Sequence, residues 1–288
     1  MNILLVSSEV APLAKVGGLG DMSAALPRAL RAAGHDVRIV MPYYSRIRHS
    51  KVEVEEGVSD LAVTLGPNRV HFGIDKTTLP NSDVPIYLIR CGGLYGREGV
   101  YTDSPDEHVR FSLLNWGALM AAQAVQFKPD IIHINDWQTS LIPLLLRTTF
   151  AWDALFHDTK TVLTIHNLGH QGTFGSEVLW ETGLVQSAHL FHQEQLNEGR
   201  LSFLLTGIMY ADAITTVSPT YAHEILTPDH GAGLDSFLRA RADALFGILN
   251  GIDTTIWDPQ IDPHLPANYS VDAMEGKETC KETLLKMS

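Results

Sequence analysis

The sequence predicts a doubly wound α/β protein, in which a mainly parallel sheet is covered by helices on both faces. Six short runs rich in Val, Ile and Leu recur along the 288 residues, and amphipathic stretches separate them. Each run is almost continuously apolar, which is typical of strands buried on both faces and unlike the alternation of a half-exposed antiparallel sheet. Strands alternating with helices predict a fold whose ligands bind beyond the carboxyl ends of the strands.

The six apolar runs are expected to be strands, at residues 2–6, 36–40, 84–89, 130–134, 161–165 and 213–217. Two further runs, 61–65 and 69–74, are separated only by Gly66, Pro67 and Asn68. A turn of that composition between two apolar runs predicts a hairpin inserted into the α/β pattern.

Helical patterns fill the gaps between the strands. Residues 21–33 predict a helix that ends at Gly34, a typical C-terminal cap. A second helix is expected to open at Ser104, with Pro105 at the first helical position and Glu107 completing a capping box. Residues 274–287 predict a last helix.

The composition excludes several classes of protein. A chain with 45% hydrophobic and 19% charged residues is neither disordered nor collagen-like. The net charge of −12 repels nucleic acid and anionic membranes, so neither is an expected partner. The two cysteines form no disulfide framework, and no Cys/His cluster predicts a metal. Without a basic leader or an apolar run of about 18 residues, the expected protein is soluble and cytoplasmic.

A glycine-rich loop follows the first strand and leads into the first helix. It contains Lys15, Gly17, Gly18 and Gly20. Glycines let the backbone approach a ligand closely, and a helix N-terminus presents unpaired N–H groups at its positive end. Together with the Lys15 cation, these features favour a diphosphate or a polar sugar over the alternative of a simple tight turn. The spacing matches neither the P-loop nor G-x-G-x-x-G, which argues against an ATPase or a nicotinamide enzyme.

Two more polar clusters follow predicted strands. Asp136 could face a ligand, or it could cap the helix that follows, and its neighbour Trp137 could belong to the core. His166 and Asn167 end the next strand; such a pair can hydrogen-bond sugar hydroxyls, or the histidine could be satisfied by loop carbonyls. Because the carboxyl ends of parallel strands share one edge of a sheet, a common ligand site is favoured.

The remaining segments have looser interpretations. Tyr95 lies in an aromatic loop that could stack on a sugar ring or could be a tethered surface loop. Ser218 predicts a helix cap, and Asn250 with Gly251 predicts a turn. No Ser/His/Asp order, HExxH motif or paired acid stands out. The residues alone therefore predict a polyhydroxylated or phosphorylated ligand at the strand ends, and no more.

Taken together, six motifs resemble those of bacterial glycogen synthases and plant starch synthases, in that family's order and spacing along nearly the whole chain. They are KVGGLGD at 15–21, NDW at 135–137, TIHNL at 164–168, YAD at 210–212, VSPTY at 217–221 and NGID at 250–253. The resemblance implies a glycosyltransferase of the GT-B type, in which two Rossmann-like lobes face each other across a cleft. Such enzymes transfer glucose from ADP-glucose, or UDP-glucose in some members, to the non-reducing end of an α-1,4-glucan. They retain the anomeric configuration and use no metal or cofactor.

The resemblance also implies roles for particular residues. Asp136 and His166 would be catalytic and line the sugar side of the cleft. The residues implied to bind substrate are Lys15, Gly17, Gly18, Asp21, Tyr95 and Asn167. One departure lies nearby, because Gln138 stands where the family usually has His, which changes a titratable donor to a neutral amide.

The expected organisation is an N-terminal lobe over residues 1–265, followed by a terminal connection and helix over 266–288. No counterpart of the family's second lobe, which supplies most nucleotide contacts, is found in the sequence. The chain is therefore expected to have little or no transfer activity alone, and that second lobe is an expected partner beside the sugar nucleotide and the glucan.

Two other functions are weighed against this one. A non-catalytic carbohydrate-binding or scaffold protein could be built on the same lobe. A nicotinamide-dependent dehydrogenase is disfavoured, because the second strand ends in Met41, Pro42 and Tyr43 rather than in an acidic residue.

Overall fold

The computed structural model describes residues 1–254 and 257–287. The chain divides into two compact units, Met1–Asn250 and Gly251–Ser288. The lobe boundary expected after residue 265 stays a prediction.

The strands of the described chain range from three to eleven residues in length. They are β1 (Asn2–Val6), β2 (Asp36–Pro42), β3 (Glu55–Leu65), β4 (Asn68–Thr78), β5 (Pro85–Arg90), β6 (Ile131–Asn135), β7 (Lys160–Ile165), β8 (Thr173–Gly175), β9 (Arg200–Ser202), β10 (Ala213–Thr216) and β11 (Leu245–Gly247). All six predicted strands are present, each within two residues of its predicted ends.

The α-helices of the described chain lie between these strands and after them. They are α1 (Gly18–Ala32), α2 (Ser45–Arg48), α3 (Gly92–Tyr95), α4 (Glu107–Ala124), α5 (Ile142–Arg147), α6 (Gln193–Asn197), α7 (Phe203–Tyr210), α8 (Pro219–Glu224), α9 (Asp235–Ala240) and α10 (Glu275–Met287). Short 3₁₀ helices cover Trp137–Thr139, Ser176–Thr182, Val185–Leu190 and Ala242–Ala244.

The central sheet has the order β11-β10-β7-β6-β1-β2-β5-β4-β3 among the described residues. Its pairs from β11 to β5 are parallel, which confirms the predicted mainly parallel sheet. In the middle, β1 pairs with β2 in register from Asn2↔Asp36 to Val6↔Val40. Apolar side chains of these strands, among them Leu5, Val6 and Ile39, are fully buried, as strands covered on both faces require.

The predicted hairpin is confirmed and is longer than expected. Strands β3 and β4 pair antiparallel around the turn at Gly66 and Pro67. Strand β4 also pairs antiparallel with β5, so the hairpin continues the main sheet as its last two strands.

Two helix starts differ from the predictions. Helix α1 begins at Gly18, inside the glycine-rich loop, and Gly17 at its N-cap makes no side-chain hydrogen bond. Helix α4 begins at Glu107, and the predicted capping box at Ser104 is wrong. The Glu107 carboxylate instead pairs with the buried Arg110 guanidinium, with its Oε2 2.7 Å from Nη1, and accepts the Thr102 hydroxyl, also at 2.7 Å.

The unit Gly251–Ser288 contains the predicted last helix as α10. Before it, the Asn268 side chain ties the loop together by donating to the carbonyls of Pro259 (3.0 Å) and Asp262 (2.9 Å). Along the described chain, no helix combines the length and the apolar character needed to cross a bilayer.

Candidate active site

The candidate site lies at the carboxyl edge of the parallel strands, on the loops that follow β1, β6 and β7. These three strands are neighbours in the sheet. The glycine-rich loop follows β1, Asp136 follows β6, and His166 with Asn167 follows β7. The topology thus brings the three predicted clusters to one edge, where a doubly wound sheet binds its ligands.

The glycine-rich loop presents an exposed backbone. Residues 15–18 are exposed, and a Cβ built on Gly17 or Gly18 would meet no atom within 4 Å. Helix α1 starts there without a side-chain cap, which places its positive dipole end at this exposed loop. Lys15 Nζ forms an ion pair with Asp21 Oδ2 at 2.8 Å, which holds the cation beside the helix start.

Glu9 fixes the loop from beneath, a role that the sequence pattern did not predict. Its Oε2 accepts the backbone N–H groups of Val16 (2.6 Å) and Gly17 (3.0 Å). Its Oε1 accepts the Tyr101 hydroxyl at 2.6 Å. Glu9 is buried, with 3% of its surface exposed. The one signal for this role in the sequence was its position in the segment that links β1 to the glycine-rich loop.

Asp136 adopts a strained backbone conformation. Its φ is 54° and its ψ is −171°, a combination that residues other than glycine rarely adopt. Its N–H donates to the Thr164 carbonyl at 2.9 Å, and its own carbonyl accepts the Ser140 hydroxyl at 2.8 Å. Strain held in place by such contacts concentrates at functional sites.

The carboxyl group of Asp136 reaches across to the next strand rather than capping a helix. Its Oδ1 accepts the His166 N–H at 2.7 Å, and the 3₁₀ helix that follows it has no side-chain cap. Burial raises the pKa of Asp136 to about 7, although the N–H groups of His166 and Asn167 oppose that rise and the Glu9 charge adds to it. At neutral pH this carboxyl group can therefore both give and take a proton.

His166 is held as a neutral ring of one tautomer. Its Nε2 lies 3.1 Å from Asn135 Oδ1, while Asn135 Nδ2 donates to the Val6 carbonyl at 3.1 Å. Because that second bond fixes which end of the amide faces His166, Nε2 carries the proton and Nδ1 is left as an acceptor. Burial lowers the pKa of His166 to about 4, so the ring is uncharged at neutral pH.

A second histidine supports this edge from within the sheet. His133 Nε2 lies 2.7 Å from the Thr164 hydroxyl, which in turn lies 2.6 Å from the Thr215 hydroxyl. Burial, and then the neighbouring His166, lower the pKa of His133 to about 4. The chain of polar groups across β6, β7 and β10 is therefore uncharged at neutral pH.

Asn167 and Tyr95 lie in contrasting surroundings. Asn167 is exposed, and its Oδ1 accepts the Gly169 N–H at 2.9 Å in a local turn. Tyr95 is fully buried, and its hydroxyl donates to the Arg110 carbonyl at 2.6 Å. Because the ring is fully buried, no face of Tyr95 is open to a sugar. Of the two interpretations of this residue, stacking on a sugar ring or tethering its segment, the structure agrees with the second. The side chain is tied to α4 rather than exposed in a loop.

Trp137 belongs to the core. Its ring packs edge-on against Phe111 (4.9 Å between centroids) and Phe174 (5.6 Å). Gly172, with φ +56°, lies so close that a Cβ there would overlap the indole. The adjacent Gln138 is buried, and its Oε1 has no hydrogen-bond partner among the described residues. This aromatic layer supports Asp136 from below.

The helix cap predicted at Ser218 is confirmed, since its hydroxyl accepts the Tyr221 N–H at 3.3 Å.

In the part of the chain that the structure describes, no three His, Cys, Asp or Glu side chains are grouped to hold a metal ion. The edge instead combines an exposed cation, unpaired N–H groups, a carboxyl group that titrates near neutral pH and a neutral imidazole. Such a set suits the hydrogen bonding of sugar hydroxyls and the binding of an anion.

This fold and edge define a doubly wound α/β domain with a site for a polar, anionic ligand. The family model that matches the chain is described as the starch synthase catalytic domain and covers residues 2–240. The chain therefore belongs to the starch synthase catalytic domain family.

Individual relatives agree with this assignment. The chain is 45% identical to a glycogen synthase of Syntrophotalea carbinolica over 290 residues, which cover 99% of this chain and 59% of the relative. It is 44% identical to a glycogen synthase of Myxococcus xanthus, with 99% and 60% covered. The chain thus spans about three fifths of the length of the curated relatives it matches.

A solved structure gives the fold. The catalytic domain of starch synthase IV from Arabidopsis thaliana, bound to ADP and acarbose, matches with a TM-score of 0.86 and 32% identity. The match covers 99% of this chain and 58% of that chain. The fold is accordingly the Rossmann-like lobe of a GT-B type glycosyltransferase.

Proposed function

We propose that this chain is the N-terminal lobe of a retaining glucosyltransferase that extends an α-1,4-glucan from ADP-glucose. The observation that carries the proposal is the pairing of Asp136 and His166 at the same sheet edge as the exposed glycine-rich loop. The matched starch synthase was solved with ADP and acarbose, which supports a nucleotide sugar and a glucan as ligands.

The loop would hold the donor's diphosphate. Lys15 supplies a cation beside the uncapped start of α1, and Gly17 and Gly18 leave open space for a phosphate to approach. Asp21 keeps the Lys15 ammonium in place until an anion competes for it. Exposed ion pairs contribute only about 0–1 kcal/mol, so this exchange of partners costs little.

Asp136 and His166 would bind the transferred glucose. Nδ1 of the neutral His166 can accept a sugar hydroxyl, because Nε2 is committed to Asn135. The carboxyl of Asp136 can donate to or accept from a hydroxyl near neutral pH. Asn167, exposed beside them, would add an amide. Glycosyl transfer passes through an oxocarbenium-like transition state with a departing diphosphate, which also needs cations from a second lobe.

The test begins with calorimetric titration of ADP-glucose, UDP-glucose and maltohexaose into the chain. The chain is then fused to the part of the Syntrophotalea carbinolica relative that it does not match, and glucose transfer to glycogen is assayed. Activity of the fusion that is lost in both Asp136→Asn and His166→Ala is the expected result. A fusion carrying Lys160→Ala, an exposed cation at the opposite end of β7, is the matched control.

A folded fusion that binds maltohexaose yet transfers glucose from neither donor would contradict the proposal. That outcome would favour the alternative, a carbohydrate-binding protein without catalysis on the same lobe.

A further inference from the structure

Glu9 lies between two parts of the candidate site, the glycine-rich loop and Asp136. It lies three residues after the end of β1 and contacts the glycine-rich loop on one side. On the other side its charge acts on Asp136 at the end of β6. The proposed function gives neither of these interactions a part in ligand binding.

The carboxylate of Glu9 makes three hydrogen bonds as an acceptor. Two come from the loop N–H groups of Val16 and Gly17, and the third comes from the Tyr101 hydroxyl. Tyr101 is itself fixed, because its hydroxyl lies 3.0 Å from the Ser8 hydroxyl. The Glu9 backbone is held too, since Ser7 Oγ donates to its carbonyl at 2.7 Å and accepts its N–H at 3.2 Å.

The loop therefore already contains an anion. A carboxylate on two successive backbone N–H groups occupies the place that a phosphate oxygen takes in a glycine-rich loop. The next two N–H groups, of Gly18 and Leu19, have no hydrogen-bond partner within the described ranges. Gly17 and Gly18 both open onto free space, but a phosphate directed at the N–H groups of Val16 and Gly17 would find them already bound to the buried Glu9 carboxylate.

The loop packs closely around Glu9. A Cβ on Gly20 would lie 3.3 Å from Glu9 Oε2 and 3.2 Å from Lys15 Cβ, so the loop is wrapped tightly around the carboxylate. The Gly20 carbonyl accepts the Ala11 N–H at 2.9 Å, which closes the loop back onto the chain after β1.

We propose that Glu9, held by Tyr101, is a positioning residue that fixes the glycine-rich loop and reserves the N–H groups of Gly18 and Leu19 for the donor's diphosphate. The identity of the ligand rests on the proposed function, whereas the contacts between Glu9 and the loop do not depend on it. In this arrangement the segment VGGL at 16–19 divides into two N–H groups that bind an internal carboxylate and a following pair for the ligand.

The charge of Glu9 has a second consequence. It disfavours the ionised form of Asp136 and so adds to the rise of that pKa. Removal of the Glu9 charge should lower the pKa of Asp136, an effect that a purely structural brace would not have.

The experiment compares Glu9→Gln, Glu9→Ala and Tyr101→Phe with the exposed control Glu194→Gln. In the ligand-free chain, amide hydrogen exchange is followed at Val16 and Gly17, and the pKa of Asp136 is measured by carboxyl NMR. Glu9→Ala should speed exchange at both amides at least about tenfold, since each loses its acceptor. Tyr101→Phe should speed it less. Glu9→Gln keeps an acceptor and should mainly lower the Asp136 pKa.

ADP-glucose is then added to the wild-type chain and to each variant. The amides of Gly18 and Leu19 should become protected while those of Val16 and Gly17 keep their protection, and Glu9→Ala should weaken binding about tenfold or more. Unchanged exchange at Val16 and Gly17 in a folded Glu9→Ala would overturn the proposal. If Glu9→Ala does not fold, unchanged exchange in Tyr101→Phe together with an unchanged Asp136 pKa in Glu9→Gln would overturn it. So would ligand protection confined to Val16 and Gly17. Failure to bind ADP-glucose by every chain, and also by the wild-type chain fused to the unmatched part of the Syntrophotalea carbinolica relative, would instead refute the proposed function, since the ligand-free measurements stand without it.

Discussion

The backbone N–H of His166 donates to Asp136 Oδ1 at 2.7 Å, although the two residues lie 30 positions apart along the chain. This single bond joins the loop after β6 to the loop after β7. It also orients the carboxyl of Asp136 away from its own helix and toward the edge of the sheet. The two residues are therefore directly linked, and their chemistry should be tested together.

Lys15→Ala should weaken binding of ADP-glucose by about ten- to a hundredfold. Hydrogen bonds to charged groups contribute about 1.5–3 kcal/mol, and Lys15 is the cation at the exposed loop. Calorimetric titration of the chain measures the effect. Lys128→Ala, which removes a cation from an exposed pair with Asp158, is the matched control and should bind as the wild type does. Equal affinities in both variants would exclude Lys15 from the ligand site.

Asp136→Asn should change how stability depends on pH. The pKa of Asp136 is about 7 in the folded chain, against a reference of 3.8, because burial disfavours the charged form. Its stabilising contribution is thus full below pH 3.8 and is lost as the pH rises through 7. The loss is about 4 kcal/mol at 1.36 kcal/mol per pKa unit.

Denaturant unfolding of wild type and Asp136→Asn between pH 4 and pH 8 checks this. The pKa values of His133 and His166 are lowered to about 4, so their contributions run the opposite way, being lost as the pH falls from about 6.5 toward 4. Both chains contain these histidines, and the difference between the two curves therefore isolates Asp136. A difference that is flat with pH would mean that Asp136 ionises normally.

Gly172→Ala should destabilise the fold by about 2–4 kcal/mol. Gly172 has φ +56°, and a Cβ there would overlap the Trp137 ring, so both backbone strain and overpacking oppose the change. Thermal unfolding measures the shift. Gly93→Ala, at a glycine whose Cβ would meet nothing within 4 Å, should change stability by less than about 1 kcal/mol.

Tyr95→Phe should cost about 1 kcal/mol of stability and leave ligand affinity unchanged. The variant removes only the hydroxyl that donates to the Arg110 carbonyl, inside a fully buried contact. Chemical denaturation and titration with ADP-glucose give the two values. Lost affinity at unchanged stability would restore Tyr95 as a substrate contact.

The strands could be predicted from the sequence because a strand buried on both faces is a short, continuous run of apolar residues. Each of the six apolar runs is long enough to be read without knowledge of its neighbours. The location of the site could also be predicted, because the carboxyl ends of parallel strands meet at the same edge of a sheet. The exact first residues of the helices were harder to predict. Glu107 pairs with Arg110 because both side chains are buried, and a local sequence pattern does not show that burial.

Other parts of the site depend on contacts between distant residues. Glu9 meets Tyr101, which follows it only after two further strands of the central sheet and the β3–β4 hairpin, so no spacing links them. The positive φ of Asp136 is imposed by its neighbours on an adjacent strand rather than encoded by a glycine. The burial of Tyr95 is equally non-local, because the same residue between glycines would suit an exposed loop.

The outer strands of the central sheet bear on whether one copy of the domain can pair with another through its sheet edge. An unpaired strand edge can template aggregation with another extended chain. One border, β11, is only three residues long. The other, β3, carries exposed Glu55, Glu56 and Asp60, and its pairing with β4 shifts register twice. A second copy arriving at that border would meet its own negative charges, so the fold resists self-association through its longest free strand.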